Sequence, residues 1–176
     1  VGRTLHRPED LQTFSREPWL GGLNFEVKFD YTYDGIMRSY EQALQRLALD
    51  TVDALIIHDL DPLFHKPDEQ KAHENDIMST GIKALEELRS AGDIQAFGMG
   101  INQKDSLSDL APRLPLDFAL VAMPYTLIDQ ESLNTGMAKC LENSTSVIIG
   151  APFASGILAT GSGMGSKYAY SNASEE

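Results

Sequence analysis

The sequence is short of cysteine and of positive charge. Among its 176 residues Cys140 is the single cysteine, so no disulfide can form within the chain. One isolated thiol is typical of a reducing compartment, and we predict a cytoplasmic location. Lys and Arg number 14 against 26 Asp and Glu, which gives a net charge of −12. So acidic a chain is expected to bind neither nucleic acid nor an anionic membrane.

Long apolar runs and one common cofactor motif are also lacking. No apolar stretch approaches the roughly 20 residues of a membrane-spanning helix. No Gly-x-Gly-x-x-Gly follows a predicted strand, which argues against a Rossmann domain. Hydrophobic residues still make up 42% of the chain, enough for a core. The length predicts one domain over residues 1–176.

The most informative stretch begins at Val52 and ends at Asp61. It opens with a short apolar run, which predicts a strand buried on both faces, as in a parallel sheet covered by helices. His58 marks the end of that strand, and Asp59 and Asp61 follow it. Because ligands bind at the carboxyl ends of parallel strands, these three residues are candidates for catalysis. The alternative is that the two aspartates and Pro62 form only a turn.

The rest of the chain alternates between helical and strand patterns. Helical spacing of apolar residues predicts helices over residues 35–47, 76–90, 104–110 and 132–141, and Asp34 is the expected N-cap of the first. Short apolar runs predict strands over residues 25–29, 94–100, 118–122 and 146–150, besides the strand that ends at His58. This alternation predicts a parallel α/β architecture, and the lack of a Rossmann motif favours a (β/α) barrel.

Two polar stretches are predicted to be loops. Residues 1–25 show no periodicity, and Trp19 in this loop either lines a substrate pocket or anchors the loop. Residues 61–75 are predicted to form a loop over the strand ends, with His65 and His73 solvated. The alternative is a metal site formed by these histidines.

Several motifs, specific in combination, resemble the aldo-keto reductase family over nearly the whole chain. The matching residues are Asp30-Tyr31-x-Tyr33-Asp34-Gly35-Ile36-x-Arg38-Ser39, Leu44-x-Arg46-Leu47, Val52-Asp53, Ile56-Ile57-His58-Asp59, Ala84-Leu85-x-x-Leu88-Arg89 and Gly92-x-Ile94-x-Ala96-Phe97-Gly98-Met99-Gly100. Features that resemble the family's branch of L-fucose (D-threo-aldose), L-galactose and pyridoxal dehydrogenases are His58-Asp59-x-Asp61, Asn102-Gln103, Tyr125-Thr126-Leu127 and Ser155-Gly156-Ile157-Leu158-Ala159-Thr160-Gly161.

The resemblance implies a fold and a chemistry. The fold would be a partial (β/α)8 TIM barrel of about four central βα units. The activity would be hydride transfer between NAD or NADP and an aldose or another aldehyde or alcohol. In this pattern His58 matches the catalytic histidine, and Asn102 matches the residue that holds the nicotinamide carboxamide. The cofactor pyrophosphate would lie against Ser155, Gly156, Ile157 and Leu158. Asp59 and Trp19 are the candidates for binding substrate, and Asp59 alternatively orients His58 or is solvated.

The sequence departs from the family pattern at three places. Asn102 is offset by one from the commoner Ser-Asn arrangement, Ala122 stands where the family has Gln, and Gly150 stands where it has a stacking Tyr. The family's other catalytic residues, Asp, Tyr and Lys, are expected to precede Val1, so the chain is interpreted as an internal fragment. We expect this fragment alone to be inactive and self-associated.

Two other functions remain open from the sequence. The first is a metal-dependent barrel hydrolase that uses His58, Asp59 and Asp61 as ligands, because imidazole and carboxylate suit such metals. The second is a non-catalytic, regulatory member of the aldo-keto reductase fold. The sequence determines neither the substrate nor the oligomeric state, and it leaves the choice between NAD and NADP open.

Overall fold

The computed structural model of the chain describes residues 1–16, 22–123, 125–163, 165–168 and 171–173. The chain divides into two compact units. Unit 1 contains residues 1–55 and 71–95, and unit 2 contains residues 56–70 and 96–176. The interpretation of residues 1–176 as a single, incomplete barrel domain stays a prediction.

Unit 1 opens with two short strands. Strand β1, Arg3–His6, pairs antiparallel with strand β2, Glu26–Phe29. The second strand lies where the sequence predicts one. The first lies inside the predicted loop, so that part of the loop prediction was wrong. Its four residues carry no usable apolar pattern, and the strand is defined by pairing with residues 20 to 26 positions away.

Helix α1, Tyr33–Leu47, follows and confirms the strongest helical pattern in the sequence. Asp34 was the predicted N-cap, but the structure gives that role to Thr32. Its hydroxyl accepts a hydrogen bond from the Gly35 amide at 3.2 Å. Ile36 is fully buried, as the apolar stripe requires.

A helical run replaces most of the second predicted loop. Helix α2, Pro67–Asp76, continues through a π-helical turn, Ile77–Gly81, into helix α3, Ile82–Ala91. The sequence predicts helix only from residue 76, because α2 buries none of its residues and so shows no apolar stripe. Proline at the first position, followed by Asp68 and Glu69, is a typical helix start that composition alone obscured.

The two histidines of that stretch are not simply solvated. His65 is buried, so the prediction for it was wrong. The ring of His73 packs against Tyr31, with ring centroids 5.0 Å apart.

Unit 2 is built on a parallel sheet. Its strands are β3, Ala54–Ile57, whose last two residues belong to this unit, β4, Ala96–Ile101, β5, Phe118–Val121, and β6, Ser146–Ile149. They lie side by side in chain order as a parallel four-stranded sheet, which confirms the predicted α/β architecture. Strand β4 is the most deeply buried, as its run of apolar and glycine residues predicts.

Short helices connect and follow these strands. Helix α4, Lys104–Leu110, lies where it was predicted and continues into a 3-10 turn, Ala111–Arg113. The helix predicted over residues 132–141 is instead a 3-10 turn, Glu131–Asn134, followed by helix α5, Gly136–Glu142. The backbone of Thr135, with φ −123° and ψ −97°, separates the two.

The chain beyond β6 consists of small elements. A 3-10 turn, Ala154–Gly156, leads into helix α6, Ile157–Thr160. Strands β7, Lys167–Tyr168, and β8, Ser171–Asn172, pair antiparallel. Within the described ranges, no helix has the length and apolarity needed to cross a membrane.

Candidate active site

His58 emerges at the carboxyl end of β3, where the sequence predicts it. Its neighbour Asp59 has a left-handed backbone with φ +60°, an uncommon conformation that aspartate tolerates better than most residues. The Asp59 carboxylate lies beside the imidazole, with Oδ1 2.5 Å from Nδ1 of His58. Asp59 is only 1% exposed, whereas the His58 side chain is 38% exposed. A buried carboxylate therefore supports a histidine that remains accessible.

Gly100 provides the space that the His58 ring occupies. This glycine lies in β4, next to the end of β3. A Cβ atom at position 100 would lie 3.3 Å from Cδ2 of His58 and 3.5 Å from its Nε2. The imidazole thus packs close to the β4 backbone, and a side chain on Gly100 would press against it. This is a second contact that restrains the ring, in addition to the bond with Asp59.

Asp61 joins the ends of β3 and β4. Its Oδ1 accepts a hydrogen bond from the amide of Leu63 at 2.9 Å, and its carbonyl accepts one from the amide of Phe64 at 3.1 Å. The turn that composition indicates is therefore present. Its other oxygen, Oδ2, accepts a long bond of 3.5 Å from Nδ2 of Asn102, the residue that follows β4. Asp61 itself is 1% exposed, so its carboxylate is a buried link between the two strand ends.

The ends of β5 and β6 present small residues. The amide of Ala122 donates to Ile101 at 3.0 Å, and the amide of Gly150 donates to Val121 at 2.8 Å, so both residues extend the ladder of the sheet. These are two of the three places where the sequence departs from the family pattern. Neither carries a side chain able to hydrogen-bond or stack on a ligand.

The segment after β6 has an unusual backbone. Three successive residues have positive φ: Ala154 at 49°, Ser155 at 61° and Gly156 at 103°. The Ser155 hydroxyl donates to Sδ of Met123, which follows β5, at 3.7 Å. Positive φ in non-glycine residues is costly and is often found at ligand sites. Ile157 and Leu158 then begin α6, with Leu158 exposed.

The parallel sheet brings most of the predicted site residues to one edge. His58, Asn102 and Ser155 all follow the carboxyl ends of strands that lie side by side. Trp19 falls outside the residues that the structure describes. Sequence reasoning missed Gly100 as the seat of the imidazole and Met123 as the partner of Ser155. A glycine in a buried strand is a usable signal for the first, but no sequence signal indicates the second.

An exposed ion pair lies at the start of α4. Nζ of Lys104 is 2.5 Å from a carboxylate oxygen of Glu131. The hydrogen bond from Lys104 to Glu131 raises the pKa of the ammonium group. Because both side chains are largely exposed, solvent screens the pair, and it contributes little to stability.

A metal centre is not evident in the described part of the chain. No group of three His, Cys, Asp or Glu residues there is arranged to hold an ion. In the cluster that suggested a hydrolase, Asp59 pairs with His58, and Asp61 binds Leu63 and Asn102. These contacts describe a hydrogen-bonded support for the imidazole and the amide.

Comparison with known proteins gives matches over most of the chain. The model of the aldo/keto reductase family matches residues 14–175. Pyridoxal 4-dehydrogenase of Microbacterium luteolum is 38% identical, with 100% of this chain and 51% of the relative covered. D-threo-aldose 1-dehydrogenase of a Pseudomonas species is 31% identical, with 88% and 40% covered. The chain thus spans about half the length of the curated relatives it matches.

Solved structures with a similar fold include two oxidoreductases. Glycerol dehydrogenase of Gluconobacter oxydans has a TM-score of 0.57 at 18% identity. The match covers 95% of this chain and 42% of the dehydrogenase chain. An aldo-keto reductase of Bacillus halodurans has a TM-score of 0.56 at 20% identity, covering 80% and 44%. At these identities the likeness concerns the fold alone, which is that of a partial TIM barrel. With the family model matching residues 14–175, the chain belongs to the aldo/keto reductase family.

Proposed function

We propose that the whole protein is an NAD(P)-dependent oxidoreductase that acts on an aldose or another aldehyde or alcohol by hydride transfer. The observation that carries the proposal is the pairing of an accessible His58 with a buried Asp59 at the carboxyl end of β3. Asn102 follows the adjacent strand, one position away from the family's commoner Ser-Asn arrangement. The names of the two sequence relatives, both dehydrogenases, support the same reaction class.

A nicotinamide dinucleotide fits the residues present at this edge. The amide of Asn102 is half-buried, and its contact with Asp61 holds it beside the end of β4. The backbone of residues 154–156 has the strained conformation expected of a loop that wraps a ligand. A Cβ at Gly156 would contact nothing within 4 Å, so this backbone is open to the close approach of a pyrophosphate. The cofactor would supply the hydride chemistry itself.

Each candidate residue then has a role. His58 hydrogen-bonds the reacting oxygen of the substrate, and Asn102 holds the nicotinamide carboxamide. Ser155, Gly156, Ile157 and Leu158 lie against the pyrophosphate. Asp59 acts on the substrate through His58, because it is too deeply buried to bind a substrate hydroxyl directly. Trp19 keeps its proposed place in substrate binding. Whether NAD or NADP is preferred remains for the assay to decide.

The test is turnover by the full-length protein. NAD(P)H absorbance should rise when NAD⁺ or NADP⁺ is supplied with pyridoxal or L-fucose. His58→Ala should lower kcat by about 100-fold or more, the usual contribution of a positioned proton-transfer group, and leave cofactor affinity within a few-fold. His6→Ala, whose ring bonds Thr4 in unit 1, is the matched control and should keep full activity.

Two results would contradict the proposal. Full activity of His58→Ala would remove His58 from the mechanism. No turnover of any aldehyde or alcohol with either cofactor would favour the regulatory, non-catalytic alternative, and activity that depends on an added divalent metal would favour the hydrolase. We also propose a cytoplasmic location, which cell fractionation tests directly.

A further inference from the structure

We propose that the exposed side chain of Phe153 provides the aromatic face on which the nicotinamide ring of the cofactor packs, over the ends of β5 and β6. The inference rests on the proposed dehydrogenase function and adds to it the residue that contacts the reactive ring. Phe153 follows the end of β6 and directly precedes the 3-10 turn, Ala154–Gly156. The residues that carry the inference all belong to unit 2.

The order of the strands places the ring of a bound cofactor. Asn102, proposed above to hold the carboxamide, follows β4, whereas the proposed pyrophosphate segment, residues 155–158, follows β6. Strand β5 lies between these two strands, so a ligand that contacts both places crosses the end of β5. The distance across two strand spacings is roughly 10 Å, which a nicotinamide ring and its ribose can bridge. The ring is therefore expected above the ends of β5 and β6.

The ends of β5 and β6 offer backbone but no large side chain to such a ring. Ala122 and Gly150 are neighbours there, since a Cβ at position 150 would lie 3.4 Å from Cα of Ala122. Neither residue has a group that could cover a planar ligand. A ring that lies at this place needs a face from one of the adjacent loops.

Phe153 provides a face of this kind. The residue is 56% exposed, although phenylalanine has no polar group that favours contact with water. Its backbone is fixed, because its carbonyl accepts hydrogen bonds from the amides of Gly156 at 3.0 Å and Leu158 at 3.4 Å. A fixed backbone reduces the freedom that the side chain loses on binding. Packing a planar ring against this side chain would remove apolar surface of both groups from water.

The loop after β5 extends the apolar surface beside Phe153. The amide of Leu127 donates to the carbonyl of Pro152, the residue before Phe153, at 3.2 Å. Leu127 is 63% exposed, and Ile128 is 56% exposed. The loop is held by Thr126, a buried residue whose hydroxyl accepts a hydrogen bond from the amide of Ile128 at 3.3 Å. Phe153 is thus part of an exposed apolar rim and is not an isolated surface residue.

The charge of the nicotinamide adds a preference between the two forms of the cofactor. The oxidised ring carries a positive charge, and the reduced ring carries none. The face of a phenylalanine ring attracts a cation that lies within about 6 Å of the ring centre. At an exposed site this attraction corresponds to an affinity difference of about two- to fivefold. Phe153 should therefore bind the oxidised form more tightly, which is the form that a dehydrogenase takes up.

The first test measures binding and does not depend on turnover. Calorimetry on the full-length protein gives the Kd of NAD⁺ or NADP⁺ and the Kd of the corresponding ADP-ribose, which lacks only the nicotinamide. Phe153→Ala should weaken binding of the oxidised cofactor about tenfold, a usual value for an aromatic stacking contact, and leave ADP-ribose binding unchanged. Phe153→Tyr keeps the ring and should keep the affinity. Phe153→Leu keeps an apolar side chain without the ring and should lose most of the affinity that Phe153→Ala loses.

A matched control and a second ligand sharpen the test. Phe25→Ala removes a phenylalanine that is 45% exposed in unit 1 and should bind both ligands like the wild type. With NADH or NADPH, the loss in Phe153→Ala should be about two- to fivefold smaller than with the oxidised cofactor, because the charge is absent. An equal loss with both forms would contradict the preference for the oxidised ring.

Three results would overturn the inference and leave the proposed function standing, provided that the wild type turns over. An equal loss of affinity for the cofactor and for ADP-ribose would show that Phe153 only shapes the loop around the pyrophosphate. Full affinity in Phe153→Leu would show that no aromatic face is used. Unchanged cofactor binding in Phe153→Ala with a raised KM for pyridoxal would assign the side chain to the substrate. A wild type that binds neither NAD nor NADP would overturn the proposed function and this inference together.

Discussion

At the scale of single residues, the site depends on small groups as much as on ionisable ones. Gly100 gives the His58 ring its place, and Gly98 in the same strand allows close approach of a neighbour. A Cβ at position 98 would meet the ring and the carbonyl oxygen of Phe118, its partner in β5. Gly100 therefore makes room for the His58 imidazole, and Gly98 allows close packing of β4 against β5.

Replacing Gly100 with alanine should affect catalysis more than stability. The new Cβ would lie 3.3 Å from Cδ2 of His58, so the ring must move by a few tenths of an ångström. Since catalysis is sensitive to such displacements, we expect kcat of the full-length protein to fall about tenfold with a small change in Tm. Gly163→Ala, where a Cβ would contact nothing within 4 Å, is the control. Unchanged kcat in Gly100→Ala would show that the ring position is not critical.

At the scale of elements, helix starts are set by single side chains that the hydrophobic pattern does not reveal. The start of α1 is fixed by Thr32, which is itself held by Asp30. Oδ1 of Asp30 accepts a hydrogen bond of 2.6 Å from the Thr32 hydroxyl and one of 3.1 Å from its amide. The predicted cap, Asp34, lies inside the first turn, where its negative charge favours the helix dipole.

Thr32→Ala should therefore destabilise the protein by about 1 kcal/mol, the usual value of an N-cap. For a protein of this size or somewhat larger, this corresponds to a fall in Tm of about 2–4 °C. Thr32→Ser keeps the hydroxyl and should recover most of the loss. Calorimetry on the wild type and the two variants measures the fall in Tm. An equal fall in Thr32→Ala and Thr32→Ser would show that the methyl group of Thr32, and not its capping hydroxyl, provides the stability.

At the scale of the whole molecule, unit 2 contains a buried thiol and a partly exposed sheet edge. Cys140 in α5 is fully buried, and burial raises the pKa of its thiol. Strand β6 lies at one side of the four-stranded sheet, and Ile148 within it is 48% exposed. The first feature affects stability at alkaline pH, and the second affects association.

The buried thiol predicts a loss of stability at high pH. Because the folded state holds the proton more tightly than the unfolded state, the contribution of Cys140 is complete below the usual thiol pKa of about 8.5. Above it, the unfolding free energy should fall by at most about 1.4 kcal/mol per pH unit for this one group until the folded-state pKa is passed. Denaturant unfolding between pH 8 and pH 10 should show a shallower decline for Cys140→Ala. Parallel declines would contradict the assignment.

The exposed strand predicts that the 176-residue chain, expressed by itself, associates. An apolar side chain on an edge strand invites pairing with another copy, and a lysine there opposes it. On a sizing column, Ile148→Lys should therefore shift the chain toward the monomer. Leu23→Lys, at a residue 79% exposed in unit 1, serves as the control and should leave the elution unchanged. A wild-type chain that elutes as a monomer would show that β6 does not cause association.

The sequence by itself determined the parallel α/β order and the position of His58 at a strand end, because buried parallel strands are short apolar runs with an abrupt polar end. It also carried the family resemblance through motifs that are local in the chain. Helix α2 and strand β1 could not be predicted from the sequence. A helix without a buried face and a strand defined by a distant partner have no periodic pattern of apolar residues. Only the tertiary structure decided that Asp59 turns back onto the His58 ring, that Gly100 seats that ring and that Asp61 reaches Asn102. Those contacts depend on a left-handed backbone at one residue and on which strands lie side by side. The spacing of apolar and polar residues in the sequence predicts neither.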